Sequence, residues 1–311
     1  MGRSSTILSD SARVPSFART ESVTAPPHPT TAVPKQLIEA LAARFSIVRE
    51  VGRGGMATVY LARDRDGRLV AIKVMRPEVA DAIGAERFRR EIEIARSMTH
   101  PLIVALYESG SAGGALYYIM QYVDGESVFD RMQREGRLSV EEALRITHDI
   151  AAALGYAHGR GVLHRDVKPE NILLAEDRAL IADFGLARAI GAADYQRLTK
   201  TGLIVGTAYY MSPEQVRGVH DLDQRVDVYS LGCILYEMLT GEPPYDGRSL
   251  VELGMNIVRA PIPSATRSGA SVPLAVDGAI SRALAKSPDD RFVSMEEFAA
   301  ALPRPGMPAT P

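Results

Sequence analysis

A chain of 311 residues with 36 basic and 38 acidic side chains has a formal net charge of −2, no surplus with which to hold nucleic acid or an anionic membrane as its main partner. The length suffices for two core-bearing lobes. The one cysteine, Cys233, rules out an internal disulfide and a Cys-rich zinc site, and it fits a reducing cytoplasmic compartment.

In chain order, residues 1–40 are expected to be a disordered arm, because their Ser, Thr and Pro content, ending in "TAPPHPTTAVP", shows no sustained apolar period. "MGRSST" meets a loose N-myristoylation pattern that short segments match often by chance. A few Arg and scarce acids make a targeting peptide the rival reading of the arm, but it has no secretory apolar region. A small lobe over 41–123 follows. "FSIVREVG", "ATVYLARD", "RLVAIKVM", "IVALYES" and "ALYYIMQYV" are β-rich runs broken by Gly or Asp-Gly turn signals. Between the third and fourth, "ERFRREIEIARSM" places Phe88, Ile92 and Ala95 at helical spacing. The larger lobe, 124–302, is mainly helical. Ser139 and Glu142 make a Ser-x-x-Glu capping box, and "VDVYSLGCILYEMLTG" is apolar nearly all round, as a buried helix should be. Residues 303–311 are expected to be a disordered tail. Five antiparallel strands with one main helix, then a helical lobe, predict a two-lobed α+β protein with its ligand site in the cleft. No apolar stretch reaches the roughly 18–20 residues that span a bilayer.

The chemistry is concentrated in a few stretches. Gly52, Gly54 and Gly55 in "VGRGGMATVY" fall between two strand runs, where backbone without Cβ atoms can approach a phosphate; alone, the stretch is as readily a flexible hairpin. Lys73 ends the strand run "VAIK" on the face opposite Ile72, and a lysine beside a buried strand needs a partner. Glu91 lies nearer the apolar face of the downstream helix, with Glu93 as the competing choice. The octet "HRDVKPEN", His164 to Asn171, forms a loop ahead of the short run "ILL", and "DFG" follows the next run. Asn171 and Asp183, on adjacent loops, are oxygen donors suited to Mg²⁺. Asp166 is then left to accept a hydroxyl proton, and Lys168 to neutralise a phosphoryl group in transit. A turn-forming Asp or a solvated Lys explains any one of these residues, but not the whole set.

Taken together and in this order, G-x-G, V-A-I-K, H-R-D-x-K-P-x-N, D-F-G and a P-E element resemble the eukaryotic-type serine/threonine protein kinases, particularly their bacterial members, from about Phe45 to Leu302. The resemblance implies a kinase N-lobe and C-lobe and a Gly-rich loop from Gly52 to Val59 over ATP. It implies that Lys73 meets the α/β phosphates and is held by Glu91. Val59, Ala71 and Leu173 would enclose the adenine. Met120 is the implied gatekeeper, with main-chain groups of Gln121 and Val123 on the base. The implied catalytic acceptor is Asp166, with Lys168 on the γ-phosphoryl group and Asn171 and Asp183 on Mg²⁺, Mn²⁺ being the alternative ion. Phe184 and His164 would stack with Leu106 and Ala95 on an anchor at Asp227. "KPE" at 168–170 and Thr207 resemble serine/threonine rather than tyrosine kinases, so protein serine or threonine hydroxyls are the implied acceptors.

Thr199 and Thr201 lie in the loop from Leu186 to Met211. Their autophosphorylation, with Arg165 receiving the phosphate, is the expected switch, and a homodimer is the expected arrangement for phosphorylation in trans. Departures are limited: Gln121 stands where many relatives have an acid, Ala57 replaces a glycine, and "SPE" replaces A-P-E, with Arg291 the expected partner of Glu214. Lacking a membrane span, the chain is read as a soluble cytoplasmic kinase or as part of a longer chain. A catalytically dead scaffold and a small-molecule phosphotransferase are the competing classes. The joint presence of Lys73, Asp166, Asn171 and Asp183 opposes the first, and the P-E platform opposes the second.

Overall fold

The computed structural model describes residues 35–112, 114–184, 206–268 and 271–304. Thr199, Thr201 and Gly185 lie outside them, as do most of the expected arm and tail.

The small lobe is a five-stranded antiparallel sheet in the order β1-β2-β3-β5-β4. Its strands are β1 (Phe45–Arg53), β2 (Ala57–Asp64), β3 (Leu69–Met75), β4 (Leu106–Ala112) and β5 (Ala115–Gln121). Register places Val59 opposite Lys73 and Lys73 opposite Tyr118, so these three share one face. Three helices accompany the sheet: α1 (Lys35–Ala42), α2 (Pro77–Ile83) and α3 (Ala85–Arg96). The helical spacing read from the sequence holds, since α3 buries Phe88, Glu91, Ile92 and Ala95. Phe88 meets the ring of Tyr118 at 6.3 Å, which puts α3 on the Lys73 face.

The opposite face carries Tyr60, Ile72 and Ile119, all buried. Its cover is α1, which packs against both edge strands, β1 and β4, and fully buries Leu37 and Leu41. Residues 35–40, expected within the arm, therefore belong to a helix packed on the lobe. Leu37 and Leu41, four residues apart just after Pro34, are the helical signal that the Ser/Thr/Pro-rich surroundings obscure.

The larger lobe opens with the strand β6 (Glu126–Ser127), followed by α4 (Val128–Glu135) and α5 (Val140–His158). The strands β7 (Ile172–Ala175) and β8 (Arg178–Ile181) complete a small sheet, β6-β7-β8. Among the described residues the further helices are α6 (Pro213–Val216), α7 (Arg225–Thr240), α8 (Leu250–Arg259), α9 (Leu274–Ala283) and α10 (Met295–Ala300). As expected, α7 is buried on nearly every side. Half of the expected capping box at α5 forms: Ser139 Oγ accepts from the Glu142 amide at 3.2 Å, while the Glu142 carboxylate turns to Arg131 at 2.7 Å. Complete boxes occur instead at Ser127/Asp130 and Ser212/Gln215. Among the described residues no helix is long and apolar enough to cross a membrane.

Glu214 and Arg291 close the lobe as a bidentate pair, Nη1–Oε1 2.6 Å and Nη2–Oε2 2.8 Å, with Arg291 at 1% exposure. Arg291 also donates to the carbonyls of Ala285 and Arg225 and lies over the Tyr229 ring. Removing one member of such a pair strands a buried charge. Glu214→Ala should accordingly cost about 3–5 kcal/mol, read as a lower denaturant midpoint at unchanged slope. Leu41→Ala should cost about 2–5 kcal/mol in the same measurement; a value near zero would mean that α1 is not part of the cooperative unit.

Candidate active site

The loop from His164 to Asn171, the candidate catalytic loop, is built on a carboxylate in the middle of the large lobe. Asp227 of α7 is wholly buried and accepts from His158 Nε2 at 2.7 Å, the His164 amide at 2.9 Å and the Arg165 amide at 2.8 Å. Burial opposes its charge, but His158 and His164 outweigh that and hold its carboxyl below the usual range. These bonds hold Arg165 in the left-handed region, φ 66°, a conformation costly for a residue with a Cβ. Just beyond the turn, Asp166 and Lys168 are part-buried and bonded to each other at 2.8 Å.

His164 moves no proton. Its Nε2–H donates to the Ala182 carbonyl at 2.9 Å, and its Nδ1 accepts from the Asp166 amide at 3.3 Å, which fixes a neutral, fully buried ring. Phe184 packs edge-on against it at 4.6 Å, so the contact expected between these two rings is present, and Ala95 and Leu106 belong to the same large-lobe core as Phe184.

Asp166 is differently placed. Its Oδ2 accepts from Lys168 Nζ at 2.8 Å and from Asn171 Nδ2 at 3.4 Å, whereas its Oδ1 is buried with no hydrogen-bond partner among the described residues. An orphaned carboxylate oxygen in a cleft is an acceptor held ready for a hydroxyl. Burial works against the Lys168 ammonium, but Asp166, with Glu170 and Asp183, outweighs it and raises its pKa, so the side chain stays charged.

Asn171 closes a 3₁₀ turn, Pro169–Asn171. Its Nδ2 donates to the Asp166 carbonyl at 2.9 Å, which directs the amide oxygen away from Asp166. The Asn171 carbonyl accepts from the Ala182 amide at 2.9 Å, locking this turn beside the loop of Asp183. Asp183, also left-handed at φ 70°, has both oxygens engaged: Oδ2 by Lys73 Nζ and Oδ1 by Tyr118 Oη. Burial would raise its pKa, yet Lys73 and Tyr118 hold the carboxyl below the usual range. Two oxygen donors, and no cluster of three His, Cys, Asp or Glu among the described residues, fit a cation that completes its shell with phosphate oxygens, as Mg²⁺ does.

The Lys73 pairing differs from the expectation. The ammonium sits on Asp183, a buried carboxylate that would be costly unpaired, where the resemblance implies Glu91. Glu91, buried on α3, instead lines a cavity of about 200 Å³ with Ile94, Leu222 and Arg165. Glu91 and Arg165, assigned to separate tasks in the sequence, thus face one space.

The nucleotide-binding candidates converge. Ala71 and Met120 are buried in the small-lobe core, and Val59, Val123 and Leu173 pack partly buried against it. The Gln121 amide is already spent on the Ala105 carbonyl at 2.8 Å, so only its carbonyl can serve a base. The Gln121 side chain, standing where many relatives have an acid, accepts from the Ala105 amide at 3.4 Å. Gly52 and Gly54 have negative φ, and a Cβ at either would meet nothing closer than ordinary contact. The fold itself therefore does not require glycine there, whereas close approach of a phosphate would.

Three further residues carried no signal that sequence reasoning used. Tyr118 and His158 bond the two buried aspartates, and Gln215 of α6 donates from Nε2 to the Arg165 carbonyl at 2.9 Å, tying the P-E element to the catalytic loop. Only Gln215 was findable, through the Ser-x-x-Gln box in "SPEQ". Thr207 lies in the 3₁₀ segment Gly206–Tyr210 that leads to α6.

Comparison with known proteins agrees with this geometry. The protein kinase domain family matches residues 45–300. The chain is 44% identical over 291 residues to serine/threonine-protein kinase PknB of Mycobacterium leprae, covering 91% of this chain and 44% of that protein. It is 44% identical over 273 residues to PknB of Mycobacterium tuberculosis H37Rv, covering 85% and 43%. With serine/threonine-protein kinase PrkC of Bacillus subtilis it shares 39% over 263 residues, covering 84% and 40%. The chain thus spans less than half the length of these relatives. By its matched domain and its identity to these bacterial serine/threonine kinases, the chain belongs to the protein kinase domain family.

Proposed function

We propose that this chain is the catalytic domain of an ATP-dependent protein serine/threonine kinase, working in the cytoplasm. The observation that carries the reading is the buried Asp166 carboxylate, one oxygen held by Lys168 and the other without a partner among the described residues, in the loop bonded to that of Asp183.

In this reading Asp166 Oδ1 accepts the proton of a serine or threonine hydroxyl as its oxygen bonds to the γ-phosphorus. The bond from phosphorus to the β,γ-bridging oxygen breaks in line, and ADP leaves with that electron pair. Lys168 balances charge on the phosphoryl oxygens and, through Oδ2, fixes the plane of Asp166. Lys73 exchanges Asp183 for the α/β phosphates, with Glu91 as the proposed anchor of the ammonium in that state. Asn171 and Asp183 would hold Mg²⁺, or Mn²⁺ as the alternative, which when bound neutralises the β- and γ-phosphates. Gly52 and Gly54 admit the triphosphate. Val59, Ala71 and Leu173 enclose the base under Met120, and the Gln121 carbonyl and Val123 amide bond its edge. The acceptor class rests on the "KPE" form at 168–170 and on similarity to relatives named serine/threonine kinases.

Asp166→Asn should lower kcat on a generic protein substrate by about 10²–10⁴-fold, the usual range for a general base, with the KM for ATP little changed. Full activity in that variant would remove Asp166 from the chemistry.

Thr199 and Thr201 are the proposed sites of autophosphorylation in trans by a second copy of the chain. A phosphate there would carry close to two negative charges toward Arg165, which shares its cavity with Glu91. Mass spectrometry of the wild type should find phosphate on this loop, and the Thr199→Ala/Thr201→Ala protein should lose most of its activity. An unphosphorylated wild-type loop, or a fully active double variant, would end that proposal.

A further inference from the structure

The hydroxyl of Tyr118 has no explanation in the core that surrounds it. The ring is 1% exposed within an apolar cluster that includes Phe88, Ile92, Leu116 and Met120. Phenylalanine would fill the same space with no polar atom to satisfy, and a buried hydroxyl costs stability unless it is bonded. Its partner is the Oδ1 of Asp183, at 2.5 Å. Asp183 is held from two adjacent strands, because β3 delivers Lys73 to Oδ2 while β5 delivers Tyr118 to Oδ1 from the position directly opposite. The backbone at Asp183 is left-handed, so the side chain has a fixed exit direction and the two donors define the carboxylate plane.

The two donors are not equivalent under the proposed function, on which this inference rests. Lys73 must leave Asp183 to meet the phosphates, whereas Tyr118 is rigid, packed against Phe88 of α3 and without a second role. Each carboxylate oxygen has two lone pairs, so a phenol on Oδ1 still leaves Asp183 sites for a cation. We infer that Tyr118 is a positioning residue for the metal-binding carboxylate: its hydroxyl keeps Asp183 oriented once Lys73 has moved to the nucleotide. Through the Phe88 contact, the same ring links the seat of α3 to that orientation.

Partners of this kind, hydrogen-bonded behind a metal-binding carboxylate, are worth about 10–100-fold in metal affinity. The test uses the full chain and a fluorescent, non-hydrolysable ATP analogue, titrated with Mg²⁺. Tyr118→Phe should raise the half-saturating Mg²⁺ concentration by about 10-fold or more, while leaving analogue affinity in EDTA unaltered. An unchanged or lowered Mg²⁺ requirement would overturn the inference. So would an equal loss of affinity with and without Mg²⁺, which is what a general packing role predicts. Tyr118→Met, which fills the position without a hydroxyl, gives the same readout should the phenylalanine variant not fold. Wild-type protein and Asp183→Asn separate the two levels of the reading. Wild-type binding that ignores Mg²⁺ would sink the kinase reading together with this one. Binding that requires Mg²⁺ and Asp183 but ignores Tyr118→Phe would sink only the role of Tyr118.

Discussion

A carboxylate with no access to water, Asp227, organises the large lobe. Its three donors come from the end of α5 and from two consecutive amides of the catalytic loop, so a single side chain fixes a helix terminus and a strained turn together. The left-handed Arg165 persists because both of its flanks are held: its amide by Asp227 and its carbonyl by Gln215. The apolar surroundings of α7 make this possible. In a low-dielectric setting the bonds to Asp227 are strong, and an unbonded Asp227 would be intolerable.

Four buried or nearly buried aspartate and glutamate side chains serve distinct purposes because their partners differ. Asp227 has every donor it needs and is structural. Glu214 meets Arg291 bidentately and welds the P-E element to the C-terminal part of the lobe. Asp183 is satisfied by one donor that can move, Lys73, and one that is packed in place, Tyr118. Asp166 alone keeps a buried oxygen without a partner among the described residues. Chemistry belongs where satisfaction is incomplete or exchangeable, and the cleft collects both such carboxylates.

Backbone hydrogen bonds join the two lobes alongside the Lys73–Asp183 ion pair. The Val104 amide donates to the Ile181 carbonyl and the Ile181 amide to the Leu102 carbonyl, both at 2.9 Å, so the segment that leaves α3 is stitched to the end of β8, two residues before Asp183. Phe88 and Tyr118 make a second, apolar route from α3 to the same aspartate.

Much of this was legible in the chain itself. Strand alternation put Lys73 on the cleft face, and the apolar spacing of Phe88, Ile92 and Ala95 put Glu91 on the buried side of α3. The all-round apolarity of "VDVYSLGCILYEMLTG" announced a buried helix, and the motif order announced the family. Local periodicity and short motifs are properties of neighbouring residues, so they survive in one dimension. Only the tertiary structure decided that Lys73 sits on Asp183, that Tyr118 supplies a second donor, that Glu142 answers Arg131 instead of its own helix, and that α1 belongs to the folded lobe. Each of these is a choice among partners distant in sequence, settled by which buried charge or apolar face would otherwise stay unsatisfied, and that competition exists only once the chain is closed on itself.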